Sequence, residues 1–250
     1  ERIAAEHELP FEAVDFSGLR GTGLLPWLRL PLNLLRAFSQ SYRVLRRLRP
    51  QVVVGMGGYI TFPAGIVARC LGIPLYLHEQ NSIAGMSNKV LAIFASKIFT
   101  AFPQVFKNGH WVGNPLRPAF EIQLPAATRY AQRQGPLQIL VMGGSLGAQA
   151  LNQTVPQALA LLPADQRPQV KHQGGEKQMP ALRENYARAG VDAELLPFIQ
   201  DVAGSMACAD LLICRAGAST VCEVAAVGRG PGAEALCGRA GGAVGRGVAE

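Results

Sequence analysis

The chain has 250 residues, of which 49% are hydrophobic and 16% charged, with a formal net charge of +7. That length holds one large or two ordinary domains, and the composition excludes a disordered chain. The positive excess calls for an anionic partner without choosing among nucleotide, nucleic acid and anionic lipid, and no apolar run is long enough to span a membrane.

Residues 11–16 (F-E-A-V-D-F) alternate as a strand does. Next, Leu24, Leu25, Trp27 and Leu28 crowd together among arginines. From Leu32 to Leu48 the spacing predicts a helix with Leu34, Leu35, Phe38, Tyr42 and Leu45 on one side. Arg36, Arg43, Arg46, Arg47 and Arg49 supply its charge. An apolar knob ringed by arginine suits an anionic bilayer, and an amphipathic core helix with a solvated basic face explains the same pattern. Gln51 to Gly55 is a predicted buried strand, followed by Gly57-Gly58-Tyr59 and a helix that Thr61 and Pro63 open and that runs to Leu71. Pro74 to His78 is the next strand, ending in Glu79-Gln80-Asn81, before a helix from Ser87 to Phe94 and a strand from Lys97 to Ala101. Strands alternating with helices predict a parallel sheet covered on both faces, with ligands at the carboxyl ends of the strands. Gly57, Gly58, His78, Glu79, Gln80 and Asn81 fall at such ends. His78 fits a base or a hydrogen-bonded structural residue, and a lone histidine favours the latter.

Val112 to Pro118 closes this half, and proline-rich polar sequence continues to Pro136. The shift divides the chain into a first domain over 1–118, a linker over 119–135 and a second domain over 136–228. The second opens with a strand from Leu137 to Val141 and the turn Met142-Gly143-Gly144-Ser145-Leu146-Gly147-Ala148. A helix over 147–162 follows, with Leu151, Val155, Leu159 and Leu162 inward. Glycine lets phosphates approach a helix N-terminus, and Ser145 adds a hydroxyl. The spacing G-G-S-x-G does not meet the G-x-G-x-x-G fingerprint of nicotinamide enzymes. Further strands are predicted at 168–173, 193–198 and 210–214, and helices at 178–189, 201–208 and 218–227. Asp201 is a candidate N-cap. At Arg215-Ala216-Gly217-Ala218-Ser219-Thr220-Val221-Cys222-Glu223, an arginine, a glycine turn and two hydroxyls precede a helix whose first turn is expected to carry Glu223. Those residues serve as caps and a dipole partner, or the carboxylate accepts both hydroxyls of a ribose. Residues 229–250 hold seven glycines and no periodic apolar run. They are expected to form a disordered or aberrant tail that does not extend the sheet. The five cysteines include no C-x-x-C pair, which argues against a disulfide framework or zinc site and for a reducing compartment.

Eight stretches occur together in one order: Ser17 to Gly21, Gly55 to Tyr59, Leu77 to Asn81, Val112 to Arg117, Gly143 to Ala148, Leu151 to Gln153, Phe198-Ile199 and Cys214 to Thr220. With them the chain resembles, over about residues 1–228, the MurG family of bacterial glycosyltransferases of peptidoglycan synthesis. The resemblance implies an α/β GT-B fold, two Rossmann-like domains with parallel sheets facing a central cleft. It implies inverting transfer of N-acetylglucosamine from UDP-N-acetylglucosamine (UDP-GlcNAc) to the C4 hydroxyl of the N-acetylmuramoyl sugar of lipid I, giving lipid II. Residues matching Asn81, Arg117, Ser145, Ile199 and the run Ala218, Ser219, Thr220, Val221, Cys222 and Glu223 would contact the donor, Ile199 at the uracil and Glu223 at the ribose. Gly57, Gly58 and Tyr59 would hold the acceptor's diphosphate. Leu24, Leu25, Trp27 and Leu28 would dock on the anionic cytoplasmic face of the inner membrane, as a peripheral protein. No nucleic-acid partner is implied. No metal-binding D-x-D is present, so no metal or other cofactor is expected.

The sequence departs from the family in two places. The G-G-T-G-G-H loop that carries the family's candidate base is absent, and none of His7, His78, His110 or His172 stands in such a context, so no catalytic residue is assigned. From Arg229 onward nothing matches the family's continuation. Both domains are therefore expected to be incomplete, the chain an internal fragment of a longer protein with little or no transferase activity by itself, and donor binding to survive weakly. Two alternatives stand beside this reading: another GT-B nucleotide-sugar enzyme, such as a glycolipid transferase or UDP-GlcNAc epimerase, and a non-catalytic membrane-associated remnant.

Overall fold

The computed structural model describes residues 4, 8–14, 24–144, 146–228, 234–239 and 242–247, with backbone alone for 24–30 and for the last two segments. The chain divides into two compact units at Asn114/Pro115.

In the first unit a helix α1 (Leu24–Leu48) leads into β1 (Val53–Gly55), α2 (Thr61–Cys70), β2 (Leu75–Glu79), α3 (Met86–Leu91), β3 (Lys97–Thr100) and the short β4 (His110–Trp111). The four strands pair in parallel in the order β1-β2-β3-β4. Leu45 of α1 packs on Val67 and Ala68 of α2, and Leu75, Leu77 and Leu91 form the adjoining core. The buried stripe of α1 runs through Ala37, Ser41 and Leu45. Leu35 and Tyr42, expected on that side, face outward instead. Residues 11–14 are coil rather than strand, and Phe11 is exposed. Alternation makes a strand only where a sheet edge receives it.

The second unit starts earlier than the sequence predicted. Residues expected as linker fold into α4 (Pro118–Glu121) and α5 (Ala126–Ala131). Phe120 is 1% exposed and sits in the core with Leu140, Ile199 and Leu212. Arg129 donates to the carbonyls of Ala207 and Val227, and Arg133 pairs with Asp210. That bond holds the Asp210 carboxyl below the ordinary carboxylate range, against the opposing effect of burial. Proline at a helix start is compatible with helix, so the proline-rich texture did not mean a linker.

Next come β5 (Gln138–Met142), α6 (Gln149–Ala160), β6 (Gln169–Gln173), α7 (Met179–Ala189), β7 (Glu194–Leu196), α8 (Val202–Cys208), β8 (Leu211–Arg215) and α9 (Ala218–Val227). Strands β9 (Glu234–Arg239) and β10 (Gly242–Gly247) follow, and the sheet order is β10-β9-β8-β5-β6-β7. β9 pairs in parallel with β8, and β10 is antiparallel to β9. This corrects the expectation that the tail cannot extend the sheet. A ladder is made of backbone groups, so it forms without an apolar period wherever an edge such as that of β8 is open. The sheet is covered on both faces. Leu140, Met142, Leu212 and Cys214 pack towards α8 and α9, while Val141 and Val170 pack towards α6 and α7.

Candidate functional site

Two successive strands of the second unit, β6 and β7, are laid down on one side of β5, and the chain then crosses to place β8 on the other side. The order of strands therefore reverses at β5/β8. In open α/β sheets such a reversal leaves a crevice outside the carboxyl ends of the strands, where ligands bind. The loop Gly143–Ala148 leaves β5 at that point, and Arg215–Gly217 leaves β8.

The glycines of the first loop are dictated by backbone approach. A Cβ on Gly143 would overlap the Ala148 backbone, and one on Gly147 would overlap the Gly174 carbonyl oxygen. Gly144 and Gly147 also have φ of 82° and 75°. The loop is tied by amide side chains. Gln173, buried at the end of β6, donates Nε2–H to the Gly144 carbonyl at 2.9 Å and accepts the Ile199 N–H at 3.2 Å. Gln178 donates to the Leu146 carbonyl at 2.9 Å. Asn152, buried on α6, donates to the Gly174 carbonyl and to Gln178 Oε1, each at 3.0 Å. Its Oδ1 lies 3.1 Å from His172 Nε2, and His172 Nδ1 lies 3.0 Å from the Tyr186 hydroxyl. An amide oxygen only accepts, so His172 carries its proton on Nε2 and accepts from Tyr186 at Nδ1. Burial lowers the His172 pKa from 6.5 to about 4 and pushes that of the Tyr186 hydroxyl up.

At the other side of the reversal, Arg117 Nη2 donates to Glu223 Oε1 at 3.3 Å, and its guanidinium lies 4.9 Å from the centre of the Phe120 ring. Arg117 is 58% exposed and Glu223 17%. Glu223 stands in the second turn of α9 rather than the first, because the helix begins at Ala218 behind Gly217. Neither Ser219 nor Thr220 caps the helix; the cap position belongs to Gly217. Asp201 does cap α8, accepting the Gly204 N–H at 2.9 Å. The structure thus brings Arg117, Glu223, the start of α9 and the Gly143–Gly147 loop to one end of one sheet. Ile199 follows β7 at that same end, its side chain in the core and its N–H on Gln173. Ser145 lies outside the described residues.

In the first unit, Gly57 and Gly58 form the turn after β1, with φ of 83° and 79°, and Thr61 donates its hydroxyl to the Gly57 carbonyl. Tyr59 is exposed beside them. At the end of β2, the buried Glu79 carboxylate accepts from Asn81 N–H (3.0 Å), Asn81 Nδ2 (2.9 Å), Gly85 N–H (3.0 Å) and Asn88 Nδ2 (2.8 Å). Burial pushes its pKa up, and these four bonds outweigh it, leaving the carboxyl below its ordinary value. Asn81 is therefore aimed by Glu79. His78 donates Nε2–H to the Gly113 carbonyl at 3.0 Å and accepts at Nδ1 from Gln80 at 2.9 Å. Both its nitrogens are engaged, which makes it structural rather than a base. The side chains of Leu24, Leu25, Trp27 and Leu28 lie outside the described residues, as does the stretch 17–21. Further along α1, Leu32 and Leu35 are exposed beside Arg36. Among the described residues no helix is long and apolar enough to cross a membrane, and no cluster of three or more metal-ligating side chains occurs.

The sequence reading gave no role to Gln173, Asn152 or Gln178. The signal was available: the predicted strand 168–173 ends in the polar pair His172-Gln173 directly before two glycines.

Two Rossmann-like units in one chain, the second with its switch-point crevice, make this a GT-B fold. Residues 1–100 match the model of the glycosyltransferase family 28 N-terminal domain, and residues 138–230 match that of the C-terminal domain. The chain belongs to glycosyltransferase family 28. It is 65% identical over 218 residues to the UDP-N-acetylglucosamine--N-acetylmuramyl-(pentapeptide) pyrophosphoryl-undecaprenol N-acetylglucosamine transferase of Polaromonas naphthalenivorans, covering 87% of this chain and 61% of that protein. The identically named protein of Paracidovorax citrulli is 60% identical over 227 residues, covering 91% and 64%. Among solved structures, Acinetobacter baumannii MurG matches with a TM-score of 0.69 and 37% identity, over 91% of this chain and 64% of that one. A UDP-GlcNAc 2-epimerase from Neisseria meningitidis shares the fold at a TM-score of 0.53 and 11% identity, covering 86% of this chain and 66% of that one. The chain spans about three fifths of the length of the curated relatives it matches.

Proposed function

We propose that this chain carries the nucleotide-sugar site and the acceptor loop of an inverting glycosyltransferase that moves N-acetylglucosamine from UDP-GlcNAc to lipid I, forming lipid II. The observation that carries this is the meeting of Arg117 and Glu223 at the carboxyl-end reversal of a sheet whose neighbouring loop is built of glycine backbone. Glu223 accepts from the ribose hydroxyls. Arg117, the N-terminal end of α9 and Ser145 stabilise the diphosphate, which gains charge as UDP leaves. Ile199 meets the uracil, and Ala218 to Cys222 line the approach. Asn81, held in its turn by Glu79, is assigned to the donor by the family resemblance. Gly57, Gly58 and Tyr59 receive the acceptor's diphosphate on open backbone. The activity that the relatives are named for supports this choice of substrates.

We further propose a peripheral association with an anionic membrane surface through α1. Leu32 and Leu35 are exposed on α1 with Arg36 and Arg43, in the segment that follows the Leu24, Leu25, Trp27 and Leu28 to which the resemblance gives the docking role. Titration calorimetry with UDP-GlcNAc and UDP tests the donor site: the chain binds both, and Arg117→Ala weakens both. Absence of heat with either nucleotide rejects the assignment. Flotation with anionic liposomes tests the surface, and flotation unchanged by Trp27→Ser with Leu28→Ser rejects it.

A further inference from the structure

We infer that Gln173 is a positioning residue of the donor site, fixing the glycine loop and the Ile199 loop relative to each other; this rests on the donor-site reading above. Gln173 is the last residue of β6, which runs between β5 and β7, paired with Met142 on one side and Leu196 on the other. The loops that leave those two neighbours carry Gly144 and Ile199. They are separated by a whole strand, so no ladder bond joins them directly.

One buried side-chain amide spans the gap. It gives its N–H to the carbonyl of Gly144 and takes the N–H of Ile199 on its oxygen. The two partners fix its orientation, because a carbonyl cannot donate and an N–H cannot accept. Both bonds end on peptide groups of the loops themselves rather than on the sheet. Fixing the Gly144 carbonyl fixes the peptide plane that leads into the helix-entry turn. That matters where backbone groups are to be aimed at a diphosphate, since misplacement by about 1 Å costs such a site heavily. Within the turn the Gly144 carbonyl also accepts the Gly147 N–H at 2.9 Å. The Gln173 bond adds what that local bond does not: it ties the same carbonyl to the end of β6 and, through the glutamine oxygen, to Ile199.

Affinity for UDP, measured by calorimetry on the full 250-residue chain, tests the inference alongside thermal unfolding. Gln173→Met keeps the length and loses both bonds, and it is expected to weaken UDP binding about tenfold, the worth of one or two hydrogen bonds. Val155→Ala opens a cavity on the opposite face of the sheet, away from both loops, and controls for general destabilisation. It is expected to lower the melting temperature at least as much while UDP affinity stays within about twofold. If Gln173→Met does not fold, Gln173→Asn, too short to span both loops, is read against the same control. Unchanged UDP affinity in the Gln173 variants overturns the inference, and so does an equal loss of affinity in Val155→Ala. If the unaltered chain binds no UDP, the donor-site assignment itself falls, a result distinct from either.

Discussion

In the first unit, the turn at the end of β2 closes around a buried carboxylate, Glu79, which collects four N–H donors. In the second unit, the turns after β5, β6 and β7 are joined by uncharged amides, Gln173, Asn152 and Gln178, with one neutral histidine behind them. Both solutions satisfy the polar groups of glycine turns that a sheet alone leaves unpaired. They differ in charge. The first knot holds a buried anion whose charge four N–H donors compensate, whereas neutral amides orient the turns of the second without any charge. The two knots should also fail at different pH.

The sharpest way to break the contrast is Glu79→Gln. An amide in that place puts donors against donors and removes charge-assisted bonds, which should destabilise the first unit by about 3 kcal/mol. Urea unfolding followed by hydrogen exchange checks it: the loss should concentrate in residues 75–91, and an even loss across both units would remove the special role of this carboxylate.

Acid should separate the units next. His172 is neutral when folded, with its pKa lowered to about 4. The unfolded chain binds its proton more readily, so this contribution is complete above pH 6.5 and is lost as pH falls from 6.5 towards 4. Between pH 6.5 and 5 the second unit should lose roughly 2 kcal/mol from this group. Glu79, whose pKa is lowered, contributes stability present above its ordinary value of 4.5 and lost only as pH falls below that. Amide exchange measured at pH 7 and pH 5 should therefore rise in α6, β6 and α7 while residues 75–91 stay protected. His172→Gln should abolish the difference, and simultaneous softening of both units would contradict it.

The smallest effect on stability is expected at the Arg117–Glu223 pair. Glu223→Gln should change unfolding free energy by less than about 1 kcal/mol, because the Arg117 side is open to water and such a pair contributes little. It should nevertheless weaken UDP-GlcNAc binding several-fold in calorimetry. A variant that unfolds the unit, or one that binds normally, would move Glu223 out of the proposed site.

Periodicity made most of the elements legible. The strands at 138–142, 169–173 and 211–215 and the helices at 179–189, 202–208 and 218–227 stand within a residue or two of where apolar spacing and capping placed them. Local signals fail where the decisive partner is remote in sequence. Phe120 reads as part of a polar, proline-rich stretch, and only the core formed by Leu140, Ile199 and Leu212 makes it an inside residue. Leu35 and Tyr42 look inward by spacing, but the helix buries the stripe Ala37, Ser41 and Leu45 and leaves those two exposed.

The sequence by itself determined the alternation of strands and helices, the glycine turns at strand ends, and the order of motifs that marks the family. Those depend on backbone sterics and on neighbours three or four residues apart. The tertiary structure alone decided that β8 crosses to the far side of β5, that Arg117 meets Glu223 across more than a hundred residues, and that one glutamine side chain ties two loops. A hydrogen bond or ion pair between distant segments has no periodicity to announce it. It exists only once the sheet has fixed which strand ends lie side by side.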